Sequence, residues 1–207
     1  MGNFDLIETM GFEPSAGIAR LEMHLMRMKD SANALDFTFD RHEARNQLHA
    51  AIFMAEKPAK IRLMLSRSGA LSIEVSDAPK TMHEAKAGVV KMEAACDDVR
   101  LLHKTTDREI YDAPRRMHPD WDEVIFVDAQ GFLTEGSYTS IFVERDGQYI
   151  TPPASRGLLR GILRAEMIEN GDAIEGDLKE KDLLNGFFVG NSLRGLMKTK
   201  LIFNPLA

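Results

Sequence analysis

LTEGSYTSIF, at residues 133–142, is the most informative segment of this chain. The apolar run 124–127 precedes it and the run 140–143 ends it, and both have the composition of β-strands. Glu135 is therefore predicted on a glycine- and serine-rich turn between two strands. A carboxylate held where two strands cross suits a functional site better than a packed core. An exposed turn acid without function is the alternative, and other residues must decide between the two.

The composition is that of an ordinary packed protein. Of the 207 residues, 44% are apolar and 28% charged, which excludes extensive disorder and allows one domain or two small ones. The formal net charge of -6 argues against nucleic acid as the main partner. No apolar run is long enough to span a membrane, and residues 1–8 lack the segments of a secretion signal. Cys96 is the only cysteine, so a reducing, cytoplasmic location is expected.

The first part of the chain predicts a small α+β domain over residues 1–78. The predicted elements are a strand over 4–9, a helix over 18–35, a helix from Asp40 to Glu56, and a hairpin over 60–66 and 70–76. The first helix is recognised by apolar residues that recur every three or four positions. A break in the pattern at 76–80 is the predicted linker.

The second part predicts a larger, strand-rich domain over residues 86–207. Besides the two strands that flank Glu135, the predicted elements are a strand over 99–102, a short helix from Asp107 to about Pro114, a hairpin at 146–147, a helix over 158–169 and a strand over 187–190. The fold class is thus mixed α/β, and no internal repeat is present.

Three groups of residues add candidate chemistry to Glu135. Lys104 follows an apolar run at the entry to a turn, where partial burial makes a lysine amine a better nucleophile; a solvated surface lysine is the alternative. Arg160 and Gly161 begin a predicted helix, whose first N–H groups and dipole favour a phosphate, although an ordinary loop glycine fits as well. Arg27 offers a guanidinium that can bind phosphate oxygens or simply cover a helix surface.

Together these residues supply the parts that pyridoxal phosphate requires. A lysine forms the Schiff base, a carboxylate keeps the ring nitrogen protonated, and basic or N–H groups bind the phosphate. The histidines show no ligand spacing with acids or with Cys96, so no metal is expected. The sequence therefore predicts a pyridoxal-phosphate enzyme with Lys104 and Glu135 as its catalytic residues.

The order of the motifs also resembles that of a known family. The motifs are HLMRMKDSA at 24–32, HKTT at 103–106, TEGS at 134–137, GLLRGILR at 157–164 and GNSL at 190–193. This order is similar to that of the class IV, branched-chain-type pyridoxal-phosphate enzymes, which include branched-chain and D-amino-acid aminotransferases and 4-amino-4-deoxychorismate lyase. The resemblance implies that Arg27 binds the phosphate, Lys104 forms the Schiff base and Glu135 binds the pyridine nitrogen.

The last two motifs extend the implied cofactor site. In the family, a leucine of the GLLxGxxR motif supports the ring face, and backbone amides after its glycine hold the phosphate. The resemblance thus implies a cofactor-binding set of Leu159 (or Leu158), Gly161, Ile162, Leu163, Asn191 and Ser192.

The resemblance further implies a two-domain fold type IV architecture, similar to that of D-amino-acid aminotransferase. Family members have a leading hairpin before the point where this chain begins, so a shortened N-terminal small domain is expected. In the family the site lies between the domains and near a homodimer interface, which implies a homodimer. Ser140 stands where asparagine is usual, and Arg156 occupies a position that is commonly small.

The activity within the family remains open between three alternatives. The segment 191–193, Asn-Ser-Leu, is more similar to the lyase than to branched-chain aminotransferases, which favours a 4-amino-4-deoxychorismate lyase that releases pyruvate and forms 4-aminobenzoate in the folate pathway. A class IV aminotransferase acting on branched-chain or D-amino acids would share every core residue named above. A non-catalytic cofactor-binding paralogue or synthase subunit is the third alternative. Arg156 and Arg62 are the predicted ligands of a substrate carboxylate.

Overall fold

The structure is a computed structural model that describes residues 4–80 and 82–202. Over these ranges the chain divides into two compact units. The first contains residues 4–80 and 103–107, and the second contains 82–102 and 108–202. The division near residue 80 lies at the end of the predicted break. The segment 103–107, which carries Lys104, belongs to the first unit, although residues 82–102 before it belong to the second. The predicted division into two contiguous domains does not include this return of the chain to the first unit.

The first unit combines one antiparallel sheet with two helices. Its elements are β1 (Leu6–Glu13), β2 (Gly17–Ile18), α1 (Leu21–Ala34), α2 (Arg41–Ala51), β3 (Ala59–Leu65) and β4 (Leu71–Asp77). Over the described residues the strand order is β2-β1-β3-β4. Alternate residues of β3, namely Ile61, Leu63 and Leu65, are fully buried and pack with Leu25 and Met28 of α1. The core of this unit therefore lies between the sheet and its helices.

The predicted elements of the first unit are present, with shifted ends. The hairpin corresponds to β3 and β4, and the helix over 18–35 corresponds to α1. The Asp40 carboxylate caps α2 by accepting the backbone N–H groups of His42 and Glu43 at 2.8 and 3.0 Å. The helix ends at Ala51 and does not reach Glu56, because Ile52 has already left helical geometry and the chain turns toward β3.

The second unit is built on a mixed sheet. Its elements are β5 (Glu84–Lys91), α3 (Val99–Leu102), α4 (Glu109–Met117), β6 (Glu123–Val127), β7 (Leu133–Gly136), β8 (Ser140–Arg145), β9 (Gln148–Thr151), α5 (Ile162–Glu169), β10 (Ala173–Glu175), β11 (Phe187–Asn191) and β12 (Gly195–Leu201). Eight strands of the described chain form it, in the order β10-β9-β8-β11-β12-β5-β6-β7. The pairs β9–β10, β12–β5 and β5–β6 are parallel, and the others are antiparallel.

The connection between β7 and β8 forces this sheet to curl. The two strands are consecutive in the chain but five positions apart in the sheet order. In a flat sheet that separation would be roughly 24 Å. Only residues 137–139 join the two strands, and a connection of that length spans at most about 14 Å. The sheet therefore curls until its β7 edge approaches β8, and the turn 137–139 closes the curl.

Residues 99–102 form the helix α3 and not the predicted strand. The backbone N–H groups of Leu101 and Leu102 donate to the Asp98 carbonyl at 2.9 and 3.3 Å, and the Asp98 carboxylate accepts the N–H of Arg100 at 2.9 Å. An aspartate in this position satisfies the first N–H groups of a helical turn. The apolar composition of residues 99–102 predicts a strand, but capping by Asp98 stabilises a helical turn instead.

The predicted end of α4 near Pro114 is also wrong, since the helix continues to Met117. Proline removes one backbone hydrogen bond from the helix. Packing compensates for the loss, because Tyr111 is 4% exposed and its ring meets Phe126 of β6 edge-on, with 5.6 Å between the ring centroids. Tertiary contact thus outweighs the local preference to end the helix.

Helix α5 begins at Ile162, four residues after the predicted start at Leu158, and ends at Glu169 as predicted. Gly157 has a φ of +76°, so the chain cannot enter the helix directly from there. Asn170 and Gly171 stop the helix as expected, with Gly171 at a φ of +78°. The described part of the chain contains no helix that is both long and apolar enough to cross a membrane.

The close contact between Gly88 and Trp121 leads to a prediction about the stability of the second unit. A Cβ atom on Gly88 of β5 would overlap the Trp121 ring, which is stacked on His118 with 3.8 Å between the ring centroids. We expect Gly88→Ala to lower the free energy of unfolding by about 1–3 kcal/mol through overpacking, as measured by urea titration with tryptophan fluorescence and circular dichroism.

The control for this prediction is the same substitution in a Trp121→Ala background, followed by circular dichroism. Without the indole ring, the new methyl group has room, and we expect the cost to fall to a few tenths of a kcal/mol. An equal cost in both backgrounds would show that the ring does not explain the glycine.

Candidate active site

Glu135 lies inside strand β7, one residue before the strand ends, and not on the predicted turn. Its carboxylate is buried, with 6% of the residue exposed. The Tyr111 hydroxyl donates to Oε1 at 2.7 Å, and the backbone N–H of Leu159 donates to Oε2 at 3.2 Å. Two donors from distant parts of the chain thus hold a buried acid, which an exposed turn residue would not show. The structure brings together Glu135 and Leu159, two residues that the sequence assigned to one site.

A second buried carboxylate, Glu123, holds the turn that follows Glu135. Glu123 is 1% exposed and accepts the backbone N–H groups of Val124 and Ser137 at 2.8 and 3.0 Å. The hydroxyl groups of Ser137 and Thr139 also donate to it. Burial raises the pKa of the Glu123 carboxyl, and these hydrogen bonds oppose that shift. Glu123 therefore fixes residues 137–139, and with them the end of the strand that carries Glu135.

Gly161 is the N-cap residue of α5 and provides no side-chain hydrogen bond to the helix. The first N–H groups of a helix lack acceptors within the helix, so those of Ile162 and Leu163 suit an anion. A Cβ atom on Gly161 would lie 2.6 Å from the Ser140 hydroxyl oxygen. The glycine is therefore needed for the close approach of this helix end to β8, and Ser140 packs against it.

Asn191 uses its side chain to shape the hairpin between β11 and β12. Its Oδ1 accepts the backbone N–H groups of Leu193 and Arg194 at 3.1 and 2.9 Å, and its Nδ2 donates to the Tyr138 carbonyl at 3.1 Å. This geometry ties the hairpin to the 137–139 turn. A role of Asn191 and of the adjacent Ser192 in binding a cofactor remains a prediction, and for Asn191 it would act through the shape of the loop.

Arg156, predicted to bind a substrate carboxylate, is held in ion pairs. Its Nε and Nη2 donate to Asp177 at 2.9 and 2.7 Å, and its Nη1 donates to Asp128 at 3.2 Å. The guanidinium also lies 3.7 Å from the ring centroid of Phe132. A substrate would have to compete with two carboxylates for this arginine. Its assignment to a substrate stays a prediction.

In the first unit, Arg27 is organised by a buried acid that the sequence analysis did not single out. Glu8 is 1% exposed, and Arg27 Nε and Nη2 donate to its two oxygens at 2.8 and 2.7 Å. His24 Nδ1 lies 2.6 Å from Glu8 Oε2. Burial alone would raise the pKa of Glu8, but the charge of Arg27 and the contacts with His24 outweigh it and lower that pKa to about 2. Arg27 is therefore held in one orientation by a charged partner.

Lys104 is attached to the same strand. Its backbone carbonyl accepts the N–H of Ile7 at 2.9 Å, and Thr105 forms a β-bridge with Leu6. His103 Nδ1 lies 2.9 Å from the hydroxyl oxygen of Ser31 on α1, so the segment is also tied to that helix. Because Glu8 follows Ile7 directly, the first unit anchors Lys104 and Arg27 at adjacent positions of β1.

Arg62, the second predicted ligand of a substrate carboxylate, lies on β3. It is opposite Thr9 of β1 and Glu74 of β4, and it is partly buried. No contact of the described residues tests its role, which stays a prediction.

Three residues of these networks were missed by the sequence analysis: Glu8, Tyr111 and Glu123. Glu8 had a detectable signal, because it alternates with Leu6 and Met10 on the buried face of β1 and an acid there needs a partner. Glu123 directly precedes the apolar run 124–127, which is a weaker signal. Tyr111 and Glu135 are 24 residues apart, and no local pattern predicts their contact.

The donor set of each unit fits pyridoxal phosphate. The second unit supplies a buried, doubly hydrogen-bonded carboxylate for a ring nitrogen and a glycine-capped helix end for a phosphate. The first unit supplies an anchored lysine and an oriented arginine. These are the chemical groups that the sequence predicted for this cofactor.

Comparison with known proteins identifies the family. The model of the class IV aminotransferase family matches residues 5–202, so the chain belongs to that family. A relative from Schizosaccharomyces pombe named "Putative aminodeoxychorismate lyase" is 30% identical over 198 residues, which cover 89% of this chain and 85% of that protein. The chain is thus an enzyme of the pyridoxal-phosphate-dependent class IV group, as predicted.

Solved structures show the same fold. A "Putative amino-acid aminotransferase" from Mesorhizobium loti has a TM-score of 0.91 and 32% identity, and the match covers 97% of this chain and 100% of that one. A "Putative 4-amino-4-deoxychorismate lyase" from Legionella pneumophila has a TM-score of 0.86, covering 98% and 87%; at 19% identity it supports the fold alone. The predicted mixed α/β, fold type IV architecture is confirmed.

The Glu8 network makes a prediction about stability and pH. The pKa of Glu8 is lowered from 4.5 to about 2, so ionised Glu8 stabilises the folded state above pH 4.5, and this contribution is lost as the pH falls toward 2. We expect Glu8→Gln to lower the free energy of unfolding at pH 7 by about 3 kcal/mol. The difference from the wild type should shrink between pH 4.5 and the acid limit, as measured by urea titration with circular dichroism.

Glu22→Gln is the matched control in the same unit. Glu22 pairs with Arg41 and Arg45, but 54% of its side chain is exposed, so the substitution should cost well under about 1 kcal/mol. A cost for Glu8→Gln as small as that of the control, or one independent of pH, would contradict the proposed network.

Proposed function

We propose that the chain is a pyridoxal-phosphate-dependent 4-amino-4-deoxychorismate lyase, which releases pyruvate and yields 4-aminobenzoate for the folate pathway. The observation that carries the cofactor chemistry is the buried Glu135 carboxylate with its two donors. The lyase outcome is supported by the Schizosaccharomyces pombe relative at 30% identity and by the Asn-Ser-Leu sequence at 191–193.

The proposal gives each site residue a role. Lys104 provides the amine that anchors the cofactor, and its Nζ moves the proton from the amine-bearing carbon of the substrate. Glu135 accepts a hydrogen bond from the protonated ring nitrogen, which lets the bound cofactor act as an electron sink. Arg27 and the N–H groups of Ile162 and Leu163 bind the phosphate. Leu159 supports the ring face.

One feature of the reaction favours the lyase outcome once the substrate is bound. Loss of the enolpyruvyl group as pyruvate leaves an aromatic ring, so the product itself supplies a driving force. The substrate also carries carboxylates, for which Arg62 and Arg156 remain the predicted cationic partners. We further propose that the enzyme is cytoplasmic and forms a homodimer, as the family resemblance implies.

An aminotransferase is the second candidate, and a specific observation favours it. The Mesorhizobium loti structure, which is named as an amino-acid aminotransferase, matches this chain at 32% identity over its whole length. Branched-chain or D-amino acids would be the substrates. The same residues would serve both reactions, because the two outcomes differ only after the shared proton transfer.

The first experiment tests the cofactor and its anchor. We expect the purified protein, after addition of pyridoxal phosphate, to show a visible absorption band that borohydride bleaches. Mass spectrometry of the peptides should then locate a pyridoxyl group on Lys104. Lys198→Ala, which removes an exposed lysine of β12, should behave as the wild type, whereas Lys104→Ala should acquire no adduct.

A protein that stays colourless with Lys104 unmodified would overturn the cofactor assignment. It would sink the catalytic interpretation and leave a non-catalytic remnant of the fold, such as a synthase subunit.

The second experiment decides between the two enzymatic outcomes. With 4-amino-4-deoxychorismate, a lyase forms pyruvate and 4-aminobenzoate in equal amounts, and Lys104→Ala should reduce this rate at least about a hundredfold. Amino transfer from branched-chain or D-amino acids to a keto acid, without pyruvate release from the aminodeoxychorismate, would instead establish the aminotransferase.

A further inference from the structure

Tyr111 is a buried residue for which the proposed chemistry provides no role. It lies on α4, 4% exposed, and its ring is fixed by the edge-on contact with Phe126 and by the Arg108 guanidinium, 5.0 Å from the ring centroid. Its hydroxyl points at Oε1 of Glu135, 2.7 Å away, and lies 3.5 Å from the Arg100 carbonyl. A ring held on two sides thus delivers one hydroxyl group to the carboxylate.

The hydroxyl group acts as a donor in this contact. Burial, followed by the charge of Glu135, raises the pKa of Tyr111 far above its ordinary value, so the phenol keeps its proton. An ionised carboxylate accepts a stronger hydrogen bond from the phenol than a neutral acid does. The buried Glu135 carboxylate therefore has a donor that keeps its proton and so keeps donating.

The contact also settles the orientation of the carboxylate. Tyr111 holds Oε1, and the Leu159 N–H holds Oε2 on the other side. The plane of the carboxylate is thereby fixed before any ligand arrives, which is the usual basis of a preorganised contact.

We propose that Tyr111 is a positioning residue, which orients the Glu135 carboxylate for its hydrogen bond with the ring nitrogen of pyridoxal phosphate. This inference rests on the proposed function, because it needs Glu135 to be the partner of that nitrogen. The inference adds to the site a residue that the sequence analysis did not predict. This residue lies on α4, the helix that packs against β6.

The test is a double-mutant cycle on Tyr111 and Glu135. The probe is pyridoxal phosphate, and the readouts are its dissociation constant and the ¹⁵N chemical shift of its ring nitrogen, measured with labelled cofactor. Tyr111→Phe keeps the ring and removes only the hydroxyl. We expect it to weaken cofactor binding roughly tenfold and to move the ¹⁵N signal toward that of the unprotonated ring.

In a Glu135→Gln background, the same substitution should change the dissociation constant less than about twofold, because the carboxylate through which the hydroxyl acts is gone. Tyr149→Phe is the matched control in the same unit. The Tyr149 ring packs against Phe142 and Phe188, with centroid distances of 6.2 and 5.5 Å. Removal of the Tyr149 hydroxyl should leave the dissociation constant and the ¹⁵N chemical shift as in the wild type.

Two results would overturn the inference while the proposed function stands. One is a wild type that binds the cofactor together with a Tyr111→Phe variant that matches Tyr149→Phe. The other is an equal effect of Tyr111→Phe with and without Glu135, which would show that the tyrosine acts only through the packing of α4. A wild type that binds no pyridoxal phosphate would overturn the proposed function and the inference with it.

Discussion

The second unit depends on a buried carboxylate, that of Glu123, at the place where its sheet closes. Strands β7 and β8 are distant in the sheet order, and three residues must connect them. Glu123 satisfies the polar groups of that connection, with N–H and hydroxyl donors from Ser137 and a hydroxyl from Thr139. Without an acceptor at its centre, a turn this buried would leave several donors unpaired, which is costly. The position of Glu135 follows from this closure, because it lies one residue before the end of β7.

The first unit uses the same physical device for a different purpose. Glu8 is an acid inside an apolar strand, and it is stable there because Arg27 and His24 surround it. The arginine is thereby fixed, and the neighbouring residue of β1 anchors Lys104. In both units a buried acid costs desolvation energy, and in both it orders a residue that the family resemblance assigns to cofactor binding.

Several elements were predictable from the chain because local chemistry determines them. Asp40 caps α2, Asn170 and Gly171 stop α5, and the hairpin of β3 and β4 follows its alternating pattern. Two of the errors have a common origin. Residues 99–102 are helical because Asp98 supplies a cap, and α4 continues through Pro114 because Tyr111 packs against β6. In each case a contact outside the apolar pattern decided the outcome.

The family, the fold class and the candidate residues could be predicted from the sequence, because the motifs and their order are read along the chain and require no distances in the fold. The groups that orient those residues become apparent only in the folded chain. Tyr111 reaches Glu135 across 24 residues, Ser31 reaches His103 across 72, and Arg156 meets Asp128 and Asp177 before any substrate. Such contacts depend on how the strands close and on which polar groups are buried together, and these are properties of the folded chain and not of any local segment.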